Sequence, residues 1–155
     1  MLPQALALKQ NATTKANAIV VTNMKVEIIS IGTELLVSDI LDTNAAYISR
    51  SLREVNVSLT GKVTIGDDPA MIADAFQVAL RRANMVIATG GLGHGKDDFT
   101  REAITAVTHR HAIPEPPGIH GAILLGNSET GSTGLLLEEA NGVLVCLPGN
   151  PREMS

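Results

Sequence analysis

VIATGGLGHGKDDFTRE, residues 86–102, is the stretch that decides the fold of this chain. An apolar run, Met85–Ala88, feeds a loop with glycine at positions 90, 91, 93 and 95. Lys96 and the acidic pair Asp97 and Asp98 follow, and then a helical pattern begins. A glycine-rich turn between strand and helix lets backbone N–H groups approach a phosphate, and the helix N-terminus adds partial positive charge. Two carboxylates at that place repel a phosphate unless a cation or a proton transfer is part of the design.

Outward from this loop the chain alternates strands and helices. Val26–Ile31 is a short apolar run ending at Gly32 and reads as a buried strand. Asp42 or Thr43 can cap a helix with Ala45, Ile48, Leu52 and Val55 on its apolar face. Val57–Ile65 reads as a second strand. Pro69 opens a second helix, with Ile72, Ala75, Phe76, Ala79 and Leu80 on one face. Met85–Ala88 is the third strand and Asp98–Thr108 the third helix. This order predicts an α/β fold with a mostly parallel sheet covered on both faces. Residues 109–121, HRHAIPEPPGIHG, hold three prolines and read as loop. Ile123–Leu125 is a short strand. Leu135–Leu137 and Val143–Leu147 flank an Asn-Gly turn signal and predict an antiparallel edge hairpin.

Composition narrows the function. The chain has 155 residues, 45% of them hydrophobic and 18% charged, which fits one globular domain over residues 24–155. A net charge of −4 and an aromatic content of 2% argue against nucleic acid as partner. No apolar stretch approaches the ~20 residues of a membrane helix. Cys146, the single cysteine, has no disulfide partner, and a cytoplasmic location is expected. Residues 1–23 contain no acidic residue and little periodicity, and read as a flexible extension.

Several residues are candidates for chemistry. Gly90 to Lys96 has the spacing G-x-x-x-x-G-K, but Asp97 stands where a P-loop needs the Ser/Thr that binds magnesium. Asp97 as a helix cap would contribute about 1 kcal/mol. One Asp satisfies that role, so two beside four glycines point to phosphate-ester or metal chemistry. Glu34 follows the first strand, at the sheet edge where α/β proteins bind ligands, and is either a cation or ligand contact or a solvated loop carboxylate. Asp67 ends the second strand and can either line the same crevice or serve an ordinary turn, while Asp68 caps the helix before Pro69. Gly149, in LPGNP, can bring backbone close to a ligand. Lys96 is a phosphate counter-charge or a solvated loop lysine. His94 can contact phosphate, and His109 with His111 lack a third zinc ligand nearby.

Taken together, IGTELL, DTNAAYIS, IGDDPAMI, TGGLGHGKDDFTRE and LPGNPREM resemble the MoaB/MogA-like molybdopterin-binding family, and within it the N-terminal domain of competence/damage-inducible CinA proteins. The resemblance covers residues 25–154. It implies a three-layer α/β/α fold with a mixed sheet that binds pterin or nucleotide phosphates at its carboxyl edge. It further implies metal-dependent hydrolysis of a nucleotide pyrophosphate such as ADP-ribose, with a divalent cation, Mg²⁺, as cofactor. Molybdopterin binding with adenylyl transfer, and pterin or nucleotide binding without turnover, are the alternatives.

By motif, Asp98 and Asp67 match the functional aspartates and Gly90, Gly91 and Gly93 the phosphate loop, with Gly95 and Lys96 beside them. Glu34 and Asn44 match polar positions at the pocket. Asp98 with Asp97 or Asp67 would hold the cation. The chain departs from the family in carrying His94-Gly95 where Pro-Thr is usual. It also has a shortened stretch before NSETGSTGL and no helix after LPGNPREM. Such shortening would uncover apolar area and favour oligomerisation or poor stability, and the resemblance implies a dimer or trimer.

Overall fold

The computed structural model describes residues 23–114, 118–126 and 133–150. The N-terminal extension, most of NSETGSTGL and the end of LPGNPREM lie outside the described residues. The described elements are β1 (Val26–Ile31), α1 (Glu34–Val37), α2 (Thr43–Glu54), β2 (Leu59–Ile65), α3 (Pro69–Arg82), β3 (Met85–Thr89), α4 (Thr100–Thr108), β4 (Ala112–Ile113), β5 (Gly118–Ile119), β6 (Ile123–Gly126), β7 (Thr133–Glu139) and β8 (Gly142–Leu147).

Six strands form one sheet in the order β2-β1-β3-β8-β7-β6. The first four strands in that order run parallel, and β7 and β6 add antiparallel pairs. The mixed sheet and antiparallel edge predicted above are present. The central strands β1 and β3 are buried along their whole length, which is why they read as continuous apolar runs rather than alternating ones.

The two faces are distinct. Val26, Ile28, Met85, Ile87, Val143 and Val145 pack with Ala45, Ile48 and Leu52 of α2. Ile29, Ile31, Val86, Ala88, Leu144 and Cys146 pack with Ile72, Phe76 and Ala79 of α3 and with Ala103 and Ile104 of α4. The layers are therefore α2, sheet, and α3 with α4. Phe76 is fully buried, and truncating such a side chain to Ala costs about 3–5 kcal/mol.

Glu27 is a buried carboxylate among these apolar residues, with its side chain 7% exposed. Arg82 of α3 closes over it with Nε donating at 2.5 Å and Nη2 at 3.0 Å. A methyl on Gly61, its neighbour across β2, would sit 3.1 Å from the Glu27 carboxyl carbon. The pair and the missing side chain together make the buried charge tolerable.

Several expectations need correction. The strand β2 begins at Leu59 rather than Val57, and Val55 lies past the end of α2 and is 37% exposed. Glu34 sits on the short helix α1, not in a plain loop. The third helix begins at Thr100, not Asp98, and its N-cap is Phe99, without a side-chain cap bond. Asp97 is therefore not the helix cap: Asp98 bonds back to Gly95 and the loop runs on to Phe99. Residues 109–121 are not all loop, because β4 and β5 pair there over two residues each.

Candidate functional site

The sheet has a switch point at its carboxyl edge. The connection from β1 leads to α2 on one face, and that from neighbouring β3 leads to α4 on the other. Divergence of this kind opens a crevice between two adjacent strand ends. A cleft of about 1000 Å³ lies there, lined by the ends of β1, β2, β3 and β8 and by the starts of α2 and α4.

Backbone packs against backbone on the cleft floor. Gly90 has φ +95°, and any side chain on it would collide with the Ile31 carbonyl oxygen. A methyl on Gly149 would lie 3.2 Å from the Gly90 Cα. Asn44, in the first turn of α2, donates Nδ2 to the Gly149 carbonyl at 2.7 Å and ties the β8 exit to the α2 wall.

Above the floor, four consecutive peptide planes are held from one side. The Thr100 hydroxyl donates to the Gly90 carbonyl at 2.7 Å, and the Thr100 N–H to that of Gly91 at 3.1 Å. Arg101 Nη1 donates to the carbonyls of Leu92 and Gly93. In a trans peptide the N–H points opposite to the C=O. The N–H groups of Gly91, Leu92, Gly93 and His94 therefore point away from α4, and none has a hydrogen-bond partner among the described residues. Successive unpaired amides make an anion-binding concavity.

Carboxylates surround this cradle. Glu34, Asp42, Asp67, Asp97 and Asp98 line the cleft together with Arg101 and His94. Asp42 is committed elsewhere: it caps α2 through the Ala45 N–H, accepts from the Ser30 hydroxyl at 2.5 Å and pairs with Lys62 at 3.4 Å. Asp67 accepts the Thr33 N–H at 2.9 Å through one oxygen, and its own N–H donates to the Thr33 hydroxyl. Asp98 accepts the Gly95 N–H at 2.7 Å, and a methyl on Gly93 would lie 2.5 Å from the same carboxylate oxygen. Among the described residues, the second carboxylate oxygen of Asp67 and of Asp98 has no hydrogen bond. Glu34 folds back over Gly32 so tightly that a methyl on Gly32 would collide with its carboxylate.

The structure thus brings Asp98, Asp67, Asp97, Glu34, Asn44, Gly90, Gly91, Gly93, Gly149 and His94 to one cleft. It leaves Lys96 exposed and outside the lining, and Gly95 serves the loop by its bond to Asp98. Arg101 is the charged residue the sequence reading passed over. Its signal was present in FTRE, one residue into α4, but nothing local shows that the side chain folds back along the loop. Burial lowers its pKa, with nearby Asp98 opposing. Two buried side-chain polar atoms lack a partner among the described residues, Asn44 Oδ1 and Arg101 Nε, and both residues line this cleft. Unsatisfied groups in a native fold concentrate where function outweighs stability.

Comparison with known proteins shows the family. A family described as "Probable molybdopterin binding domain" matches residues 27–155. The chain belongs to this molybdopterin-binding-domain family. Among its relatives, a CinA-like protein of Dictyoglomus thermophilum is 36% identical over 156 residues, covering 84% of this chain and 38% of that protein. A putative competence-damage inducible protein of Alkaliphilus oremlandii is 35% identical with the same coverage. The chain therefore spans about two fifths of the length of these relatives. In structure it is similar to CinA from Thermoplasma acidophilum, at TM-score 0.78 and 23% identity, covering 84% of this chain and 91% of that one. It is also similar to the molybdopterin biosynthesis enzyme MoaB from Thermus thermophilus, at TM-score 0.66 and 19% identity, covering 84% of each. These two likenesses establish the shared α/β fold. Among the described residues no helix of this family member is long and apolar enough to cross a membrane.

Proposed function

We propose that the cleft binds a nucleotide pyrophosphate such as ADP-ribose and hydrolyses it with the help of a divalent cation. The observation that carries this reading is the row of four unpartnered amides, Gly91 to His94, facing a cleft lined by carboxylates. The amides suit one phosphoryl group. The carboxylates require that the remaining charge be neutralised by something the ligand brings.

No group of three or more His, Cys, Asp or Glu side chains among the described residues is placed to hold a metal by itself. Mg²⁺ keeps several waters and is held by one or two carboxylates together with substrate phosphates. Asp98 and Asp97 would hold it. When bound, the cation neutralises charge on the phosphoryl oxygens and lowers the pKa of a coordinated water.

The chain's own groups do the rest. The Gly91–His94 amides orient one phosphoryl group and stabilise the negative charge that builds on it. Asp67, with one oxygen fixed by Thr33, offers the other to take a proton from the attacking water. A bond forms from water oxygen to phosphorus, and the bridging P–O bond breaks. With ADP-ribose the products are AMP and ribose 5-phosphate. A second reading, pterin binding without turnover, is supported by the family description and by the MoaB-like fold.

Calorimetric titration with ADP-ribose and Mg²⁺, with AMP release followed in the same samples, separates the two readings. Asp98→Asn keeps an oxygen for the Gly95 N–H while removing the charge. Binding with AMP release that falls about 100-fold or more in this variant supports the hydrolase. Binding without turnover favours the module, and binding of molybdopterin alone assigns the cleft to a pterin.

A further inference from the structure

We propose that Arg101 is the positioning residue of the glycine loop, fixing the two peptide planes that Thr100 does not reach so that the amide row stays open toward the ligand. The assignment rests on the phosphate-binding reading of the cleft. Of the four planes, those beginning at Gly90 and Gly91 are held by the Thr100 hydroxyl and N–H. The next two, beginning at Leu92 and Gly93, are held among the described residues only by Arg101 Nη1. Gly93 has no side chain to resist rotation, and a glycine backbone adopts either hand of φ at little cost. Leu92 is anchored by its buried side chain and the Asp98 carboxylate packs over Gly93, but neither bonds the two carbonyls; without the guanidinium the planes can turn a carbonyl into the cleft, where it would repel a phosphoryl oxygen.

Two further features fit this role. Arg101 Nε is buried without a partner, so the guanidinium is seated where the loop carbonyls need it and not where all its own donors are satisfied. Its planar, rigid fork distinguishes it from lysine, whose ammonium is a point charge on a flexible stem. Arg101 also supplies positive charge behind the cradle in a cleft that is otherwise acidic. Lysine would restore that charge more fully than it would restore the geometry.

The test compares the wild-type protein with Arg101→Met and Arg101→Lys. Backbone ¹⁵N order parameters of residues 91–95 are measured without ligand, and affinity for inorganic pyrophosphate with Mg²⁺ is measured by titration. The expected result is a loop near 0.85 in the wild type that falls below about 0.6 in Arg101→Met, with the β1 and β3 amides unchanged. Pyrophosphate affinity should drop at least about tenfold in Arg101→Met, with Arg101→Lys intermediate in both readouts. A rigid loop or undiminished affinity in Arg101→Met overturns the positioning role. If the wild type itself does not bind pyrophosphate, the phosphate reading fails, while the order parameters still decide whether Arg101 fixes the loop. Should Arg101→Met not fold, Arg101→Lys decides: full retention of loop order and affinity overturns the proposal.

Discussion

Gly90 sits where three strand ends meet, with a positive φ and the Ile31 carbonyl directly against the space a side chain would need. Gly90→Ala therefore combines backbone strain with a collision against backbone that cannot rotate away. Its expected cost is about 2–4 kcal/mol, read as a lower urea midpoint with unchanged m value. Cys146 makes a different prediction. Burial pushes its thiol pKa up, so the folded chain keeps the proton at a pH where the unfolded chain releases it. Its contribution to stability is complete below the unfolded-state value of about 8.5 and falls by about 1.4 kcal/mol per pH unit above it. Denaturation midpoints followed from pH 8 to 10 should decline more steeply in the wild type than in Cys146→Ala. The glycines were legible one by one because their spacing is local. Arg101 was not, because its partners are the Leu92 and Gly93 carbonyls, which no side-chain pattern encodes.

One side chain ties the start of α2 to two strands of the sheet. The helix cap, Asp42, holds the Ala45 N–H, the Ser30 hydroxyl of β1 and the Lys62 ammonium of β2. Asp42→Ala should cost about 1–2 kcal/mol, at the upper end of the cap range because the Ser30 bond is lost as well. Chemical denaturation checks it, and Asp42→Asn should recover part of the loss. Both this cap and Asp68 at α3 were readable, since a short polar side chain just before an apolar period is a purely local signal. The same rule misplaced the start of α4. There Asp98 spends its acceptor on Gly95, and the Thr100 hydroxyl reaches back to Gly90, so loop closure and not helix capping sets the boundary. The β4–β5 pair was hidden for a related reason. Two-residue strands carry no period, and the prolines between them read as loop.

At the scale of the whole molecule, charge decides how the cleft works. Glu34, Asp67, Asp97 and Asp98 line it against Arg101, so under the proposed function a free pyrophosphate would meet net repulsion and a cation-bound one would not. Removing divalent cations with a chelator should weaken ADP-ribose binding at least about tenfold, measured by titration at fixed ionic strength. The same edge carries Leu36, Val37, Ile40 and Leu41, all more than half exposed. Light scattering is expected to show a dimer or trimer, and charged substitutions at Val37 and Leu41 should shift it toward monomer. By itself the sequence determined the strand–helix order, the parallel centre, the antiparallel hairpin and the glycine loop. Each of these is written in spacing within about twenty residues. Only the tertiary structure decided that the connections leaving β1 and β3 diverge to opposite faces, that Asn44 meets Gly149, and that Thr100 and Arg101 hold four peptide planes at one cleft. Those relations depend on which strands become neighbours and on how individual peptide planes rotate. Both are settled by packing across the sheet rather than by any local pattern of side chains.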